Sequence, residues 1–220
     1  MTRTEPAAAS AAAPARDCPI CPRLVAFREE LRAAEPDWHN APVPSFGPLS
    51  ARLFVVGLAP GMKGANRTGR PFTGDYAGDL LYATLAAHGF AAGDYDRRPD
   101  DGLDLVDCRI ANAVRCLPPQ NKPTPAEQRA CNGFLAAEIQ AMPNLEVVLA
   151  LGRVSPDAVL RALGRRPAAA RFAHGAVHDI GVVAVADSYH CSRYNTNTGR
   201  LTVEMFDAVV AGIRRRLATP

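Results

Sequence analysis

A chain of 220 residues, close to half of them apolar, is long enough to bury a full core and reads as one domain. Its net charge of +3 excludes a protein that holds a polyanion by overall charge, so a nucleic-acid partner has to meet a local basic face. No apolar run reaches the length of a membrane span, and no membrane partner is expected.

Residues 1–16, dominated by Ala, Pro, Ser and Thr, read as a disordered leader rather than a secretory signal, ahead of a single domain over 17–220. Six cysteines without an export signal imply a reducing, cytoplasmic setting, where thiols bind metal or pack in cores more often than they pair. Helical patterns follow at 23–34, 76–88, 125–141, 156–163 and 201–217, and strand-like apolar runs at 53–56, 108–114, 147–151 and 182–186. Thr124, Pro125 and Glu127 have the spacing of a capping box, and Arg214 to Arg216 suit the negative end of the last helix dipole. The alternation predicts an α/β fold with a mainly parallel four-stranded sheet between helices. Ligands of such a sheet collect at its carboxyl edge, where the loops after 56, 114 and 186 are expected to converge. Segment 38–48 reads as a proline-rich linker and 93–102 as an acidic surface loop, neither carrying chemistry.

The first of those loops, from Gly57 to Asp75, holds glycines that let a backbone approach a ligand closely, with Lys63, Arg67 and Arg70 as cationic donors for phosphate. Lys63 and Lys122 are the only lysines of the chain, and both lie in loops. No Gly-x-x-x-x-Gly-Lys-Ser/Thr is present, which sets a phosphate-loop nucleotidase aside.

Cys18 and Cys21 have the spacing that places two thiolates on one centre, while Cys116 and Cys131 lie either side of a proline-rich loop and a helix start. Four soft ligands fit a [4Fe-4S] cluster or a structural zinc equally well. The bland alternative is a redox CxxC pair with two core thiols. Cys108, inside an apolar run, reads as a small buried hydrophobe.

Taken together, Cys18-x-x-Cys21, Gly57-Leu58-Ala59-Pro60-Gly61, the segment from Gly69 to Asp75, the segment from Asn112 to Pro125, Cys131, and the segment from Tyr189 to Leu201 resemble the uracil-DNA glycosylase superfamily, in particular its iron-sulfur family 5, or type B. The resemblance covers nearly the whole chain after residue 17. It implies a three-layer α/β/α sandwich, a [4Fe-4S] cluster rather than zinc, and removal of uracil from DNA. Other deaminated or damaged bases such as hypoxanthine, xanthine and ethenocytosine are implied too. The substrate is DNA, double-stranded or single-stranded, with the target base flipped into a pocket. The enzyme is expected to be a monomer at the nucleoid.

Breaking an N-glycosidic bond builds positive charge on the sugar and negative charge on the leaving base. His190 stands where the family places its leaving-group histidine, so an imidazole N–H directed at the base is expected there; His39, His88, His174 and His178 read as structural or solvated. Leu58 occupies the position where related families carry a water-orienting residue and cannot act so. Asp75 is the substitute candidate, although its place before a helix also fits an N-cap. Phe72 is the stacking face for the base, with Gly57, Leu58 and Ala59 offering backbone groups and Asn112 an amide to the pyrimidine edge. Asn121 is a further catalytic or positioning candidate. Ser192, Arg193, Asn195 and Arg200, with Lys63, Arg67, Arg70 and Lys122, are expected at the DNA backbone. Cys191 stands where proline often follows the family histidine, which predicts a softer loop. No lysine is placed as a Schiff-base nucleophile, so no strand cleavage is expected. The competing reading is a non-enzymatic, zinc-stabilised DNA-binding or lesion-sensing module.

Overall fold

A computed structural model describes residues 13–218. In chain order they form α1 (Pro22–Ala34), β1 (Leu53–Gly57), α2 (Ala65–Thr68), α3 (Tyr76–Ala87), β2 (Ala91–Ala92), β3 (Asp104–Leu105), β4 (Cys108–Asn112) and α4 (Pro125–Gln140). There follow β5 (Val147–Leu151), α5 (Ser155–Ala162), β6 (Val177–Ile180), β7 (Val183–Ser188), α6 (Arg193–Asn197) and α7 (Val203–Ala218). The main sheet runs β4-β1-β5-β7-β6, its first four strands parallel and β6 antiparallel to β7.

Every residue of β1, β4 and β5 is buried, which is why these strands read as unbroken apolar runs. Alternation sends Leu53 and Val55 to a core closed by Leu81 and Leu85 of α3 and Phe206, Val210 and Ile213 of α7. Phe54 and Val56 face the opposite core, closed by Leu135 and Ile139 of α4 and Ala158 and Val159 of α5. The result is the three-layer sandwich expected, with the carboxyl ends of β1, β4 and β7 at one rim. The capping box at α4 is complete, Thr124 Oγ1 accepting from Glu127 N at 3.2 Å and Glu127 Oε2 from Thr124 N at 2.7 Å. The last helix starts at Val203 rather than 201 because Thr202 Oγ1 accepts from Met205 N at 3.1 Å.

Three expectations are corrected. The sheet has a fifth strand, β6, whose alternately exposed and half-exposed residues give no apolar run to read. Segment 38–48 is more than a linker: Phe46 exchanges backbone hydrogen bonds with Ile110 at 2.9 and 2.8 Å and Val43 N reaches Arg115 O at 2.7 Å, so it covers the open edge of β4. Of the expected leader, residues 1–12 lie outside the described residues, while Ala15 O accepts from Cys18 N at 3.0 Å and Arg16 O from Arg32 Nη2 at 3.4 Å.

A fourth correction concerns Arg70 and the loop 93–102. The Arg70 side chain is buried, its fork bonded to both oxygens of Asp101 at 2.8 and 2.7 Å, and the Asp101 side chain has no exposure at all. The guanidinium lies against the rings of Phe46, Tyr82 and Tyr95 at 5.1, 5.6 and 5.8 Å. Arg70 is therefore structural and closed to phosphate, and the loop 93–102 sends a carboxylate into the interior. Burial alone would raise the Asp101 pKa, but Arg70 and the N–H groups of Asp96 and Leu103 hold it well below the usual range. That contribution to stability is present above about pH 4 and is lost as pH falls through the depressed value. Arg70→Met leaves Asp101 charged and alone in the interior. A loss of roughly 3–5 kcal/mol in urea unfolding at pH 7 is expected, shrinking as the pH is lowered.

Candidate active site

The loops after β1, β4 and β7 enclose a cleft of about 550 Å³ at the carboxyl edge, a size suited to a small molecule or a single base. Leu58, Ala59, Phe72, Asp75, Asn112, Asn121 and His190 all line it, with Lys63, Ser192 and Arg193 at its rim. The structure thus brings together residues up to 135 positions apart, from Leu58 to Arg193.

Phe72 forms the wall at the base of the cleft, buried and in the left-handed region at φ +52°. A conformation that side chains other than glycine rarely adopt has to be held from outside. Tyr95 Oη donates to Phe72 O at 3.1 Å, Tyr82 Oη to Pro71 O at 2.6 Å, Arg70 Nε to Thr73 Oγ1 at 2.7 Å and Thr68 Oγ1 to Thr73 O at 3.1 Å. Two glycines make room: a Cβ at Gly78 would collide with Phe72 O, and one at Gly57 with the Phe72 ring and Asn112 Oδ1. The Phe72 ring stands 5.7 Å from the His190 ring, centroid to centroid, with 27° between planes.

His190 leaves the end of β7 in a loop fixed by Asn195 Nδ2, which donates to His190 O at 2.8 Å. Asn195, expected at DNA, therefore turns inward as a brace. The same bond, with Cys191 fully buried, removes the softness expected from the missing proline. Burial lowers the His190 pKa to about 4, and its ring nitrogens have no hydrogen-bond partner among the described residues. A neutral imidazole with a free N–H faces the cleft. Burial likewise pushes up the Cys191 thiol, with Asp75 adding to the effect, so this cysteine is no nucleophile.

Asp75 caps a helix and lines the cleft as well. Oδ1 accepts from Ala77 N at 3.1 Å as the N-cap of α3, while Oδ2 lies against the backbone of Gly61 and Gly64. Burial raises its pKa, against the lowering by the N–H groups of Gly78 and Ala77. A half-buried carboxylate of raised basicity beside a cleft is suited to take a proton from water.

Asn121 reaches the rim in the left-handed region at φ +56°. Arg67 is exposed in an adjoining recess with Trp38, His39 and Arg98. Lys122 is exposed outside the cleft lining, its carbonyl accepting from Arg23 Nη2 at 3.1 Å, and Arg200 lies 6.0 Å over the Tyr194 ring. Tyr76 was not foreseen; it lines the rim, its ring 5.3 Å from the Arg193 guanidinium. Its place directly after Asp75 was the available signal.

Behind the β4 wall, Cys18, Cys21, Cys116 and Cys131 line one enclosed recess with Leu24, Val25, Val114 and Phe134. Cys21 is the residue before α1 and Cys131 lies in α4, so the recess joins the N-terminal segment to the loop after β4. Burial raises the thiol pKa values of Cys21, Cys116 and Cys131, that of Cys116 to about 12, with Cys131 adding to the rise at Cys116 and Cys21. Two buried arginines share the recess, Arg28 and Arg115, each with its Nε buried and without a hydrogen-bond partner. Among the described residues no three His, Cys, Asp or Glu side chains are arranged around a single ion. Four thiols, an apolar wall and orphaned cationic donors do suit a larger anionic group, and the donor set fits an iron-sulfur cluster. Cys108 is buried in β4, as expected.

A family model described as the uracil DNA glycosylase superfamily matches residues 44–214. The chain is 47% identical over 205 residues to a type-5 uracil-DNA glycosylase of Thermus thermophilus, covering 90% of this chain and 93% of that one. It is 43% identical to a type-5 uracil-DNA glycosylase of Pyrobaculum aerophilum, over 92% and 88% of the two chains. Similarity to a type-4 uracil-DNA glycosylase of Thermotoga maritima is confined to 107 residues, 40% identical, about half of each chain.

Two outcomes follow from the geometry. Gly64→Ala places a methyl group against the Asp75 carboxylate, and a loss of about 100-fold in kcat with near-native melting is expected. In the pH dependence of kcat/KM, the acid limb should follow Asp75, which burial lifts above the usual aspartate value. No ionisation near 6.5 should belong to His190, which stays neutral down to about pH 4. An acid limb at 6.5 that vanishes in His190→Asn would contradict the neutral imidazole.

Proposed function

The chain belongs to the uracil DNA glycosylase superfamily, and on that premise we propose that it is a monofunctional DNA glycosylase of base excision repair. Its substrate is uracil in DNA, as the names of its type-5 relatives support, and the proposal extends to other deaminated or damaged bases, hypoxanthine, xanthine and ethenocytosine among them. The observation that carries the reading is the convergence of Phe72, Asp75, Asn112 and His190 on one base-sized cleft.

A base within a duplex is out of reach of that cleft, so the nucleotide has to be extruded, with Lys63, Ser192 and Arg193 at the rim holding the flanking phosphates. The base stacks on Phe72, a contact worth about 1–3 kcal/mol, while Asn112 and the loop backbone from Gly57 to Ala59 address its edge. As the bond between the anomeric carbon and the base nitrogen breaks, its electron pair leaves with the base. The His190 N–H donates to the carbonyl oxygen where that charge collects. A neutral donor suits this task, since it stabilises the anion without having to lose a proton. Water bonds to the anomeric carbon and gives its proton to Asp75, and the cationic sugar faces the same carboxylate. The products are free base and an abasic site. Of the two lysines, Lys63 lies at the rim and Lys122 outside the cleft, and neither acts as an amine nucleophile; borohydride is expected to trap no protein on DNA.

Cys18, Cys21, Cys116 and Cys131 hold a [4Fe-4S] cluster in this reading. Bound there, it supplies a cross-link between the N-terminal segment and the wall carrying Asn112 and Asn121, not a redox step. No helix of the described residues is long and apolar enough to cross a membrane. The enzyme works as a cytoplasmic monomer at the nucleoid, on double-stranded DNA and on single strands.

Oligonucleotides bearing uracil, hypoxanthine, xanthine or ethenocytosine, cleaved with alkali after incubation, test the proposal. Release of uracil is expected, lost in Asp75→Ala and His190→Ala proteins that still fold; wild-type-like excision by Asp75→Ala would refute the assignment of the carboxylate. Asn112→Ala should lower uracil excision more than hypoxanthine excision, and an unchanged ratio counts against Asn112 as the pyrimidine reader.

A further inference from the structure

Among the described residues, the recess behind the β4 wall is lined by four thiols and two buried arginines, Arg28 and Arg115, and by no carboxylate. Arg109 and Arg115 are both buried and both directed at the one buried carboxylate of Glu138, and Arg115 also reaches Ser45 Oγ at 2.6 Å. Arg28 is less well matched. It lies on α1 two turns beyond Cys21, is 6% exposed, and donates from Nη1 to Cys18 O at 3.2 Å. Its Nε is buried with no hydrogen-bond partner. The nearest carboxylate, Glu29 at 3.5 Å, is exposed and shared with Arg32 at 3.0 Å. A buried cation persists when an anion faces it. The Arg28 side chain lines the same recess as all four thiols.

We propose that Arg28 is the fixed counter-charge of the four-thiolate site, there to retain the anionic iron-sulfur cluster, with a raised reduction potential as the measurable consequence of its charge. The inference rests on the iron-sulfur reading above. A cluster on four thiolates is a net anion and gains a further negative charge on accepting an electron, so a buried guanidinium favours both its binding and its reduced form. Arg28 is a positioning and electrostatic residue, remote from the base and from Asp75.

The test compares wild type, Arg28→Met and Arg28→Lys, purified without oxygen. Iron and acid-labile sulfide are counted, loss of visible absorbance is followed under an iron chelator, and the midpoint potential is measured by protein-film voltammetry. Expected are a more negative midpoint and roughly 10-fold faster iron release in Arg28→Met, with Arg28→Lys close to wild type. Should Arg28→Met be insoluble, Arg28→Gln removes the charge in its place. Wild type without iron, or with one zinc, sinks the iron-sulfur reading itself. Wild type with iron, beside a neutral variant of unchanged potential and iron release, overturns the role of Arg28 alone. Equal damage in the neutral and lysine variants overturns it too, since packing rather than charge would then be at work.

Discussion

The buried ion pair between Arg70 and Asp101 is the constraint on which the cleft depends. It joins the turn from Pro71 to Thr73 to the loop 93–102 and supplies the floor on which Tyr82 and Tyr95 stand. Those two tyrosines grip consecutive carbonyls, Pro71 O and Phe72 O, and so fix the plane of the Phe72 ring in the cleft. A charge buried in this way contributes little to stability over an apolar replacement, but removal of one partner is severe. Its use here is geometric, since a bidentate fork accepts one orientation of the loop and rejects its neighbours.

On that floor the electrostatics of the cleft are set by exclusion of water. The same burial that keeps His190 uncharged raises the basicity of Asp75, so one physical cause leaves a neutral imidazole and a more basic carboxylate on one cleft. Burial is the leading cause of both shifts, with Asp79 adding to that of Asp75, and the cationic side chains Lys63 and Arg193 stay at the rim. The division follows the sheet: β1 and β4 supply the apolar and amide walls, and the loop after β7 supplies the histidine.

Much of this was legible in the sequence because the residues concerned are local or periodic. Strands buried on both faces announce themselves as apolar runs, and the capping box at Thr124 is a pattern of neighbouring residues. Phe72, Asp75, Asn112 and His190 could be placed through a family likeness tied to their motifs, and the fold then gathers them. What stayed hidden depends on long-range partners. Arg67 and Arg70 look alike in a glycine-rich loop, yet one is exposed and the other finds Asp101 thirty-one residues away. Asn195 reads as a polar loop residue until the carbonyl of His190 appears beside it. The strand β6 carries too little buried surface to leave a periodic trace. Arg28 looks like any helix arginine, and only its orphaned Nε sets it apart.

The left-handed backbone at Phe72 has a consequence for how such a protein can change over time. Glycine would relieve the torsional burden at that position but would erase the ring, so the torsion and the aromatic face cannot be improved together. Refinement is displaced onto the surroundings: Gly57 and Gly78, where any larger residue intrudes, and Tyr82 and Tyr95, whose hydroxyls act as clamps. A gain in heat tolerance at this site has to come from the scaffold beneath the ring, with the ring itself left untouched.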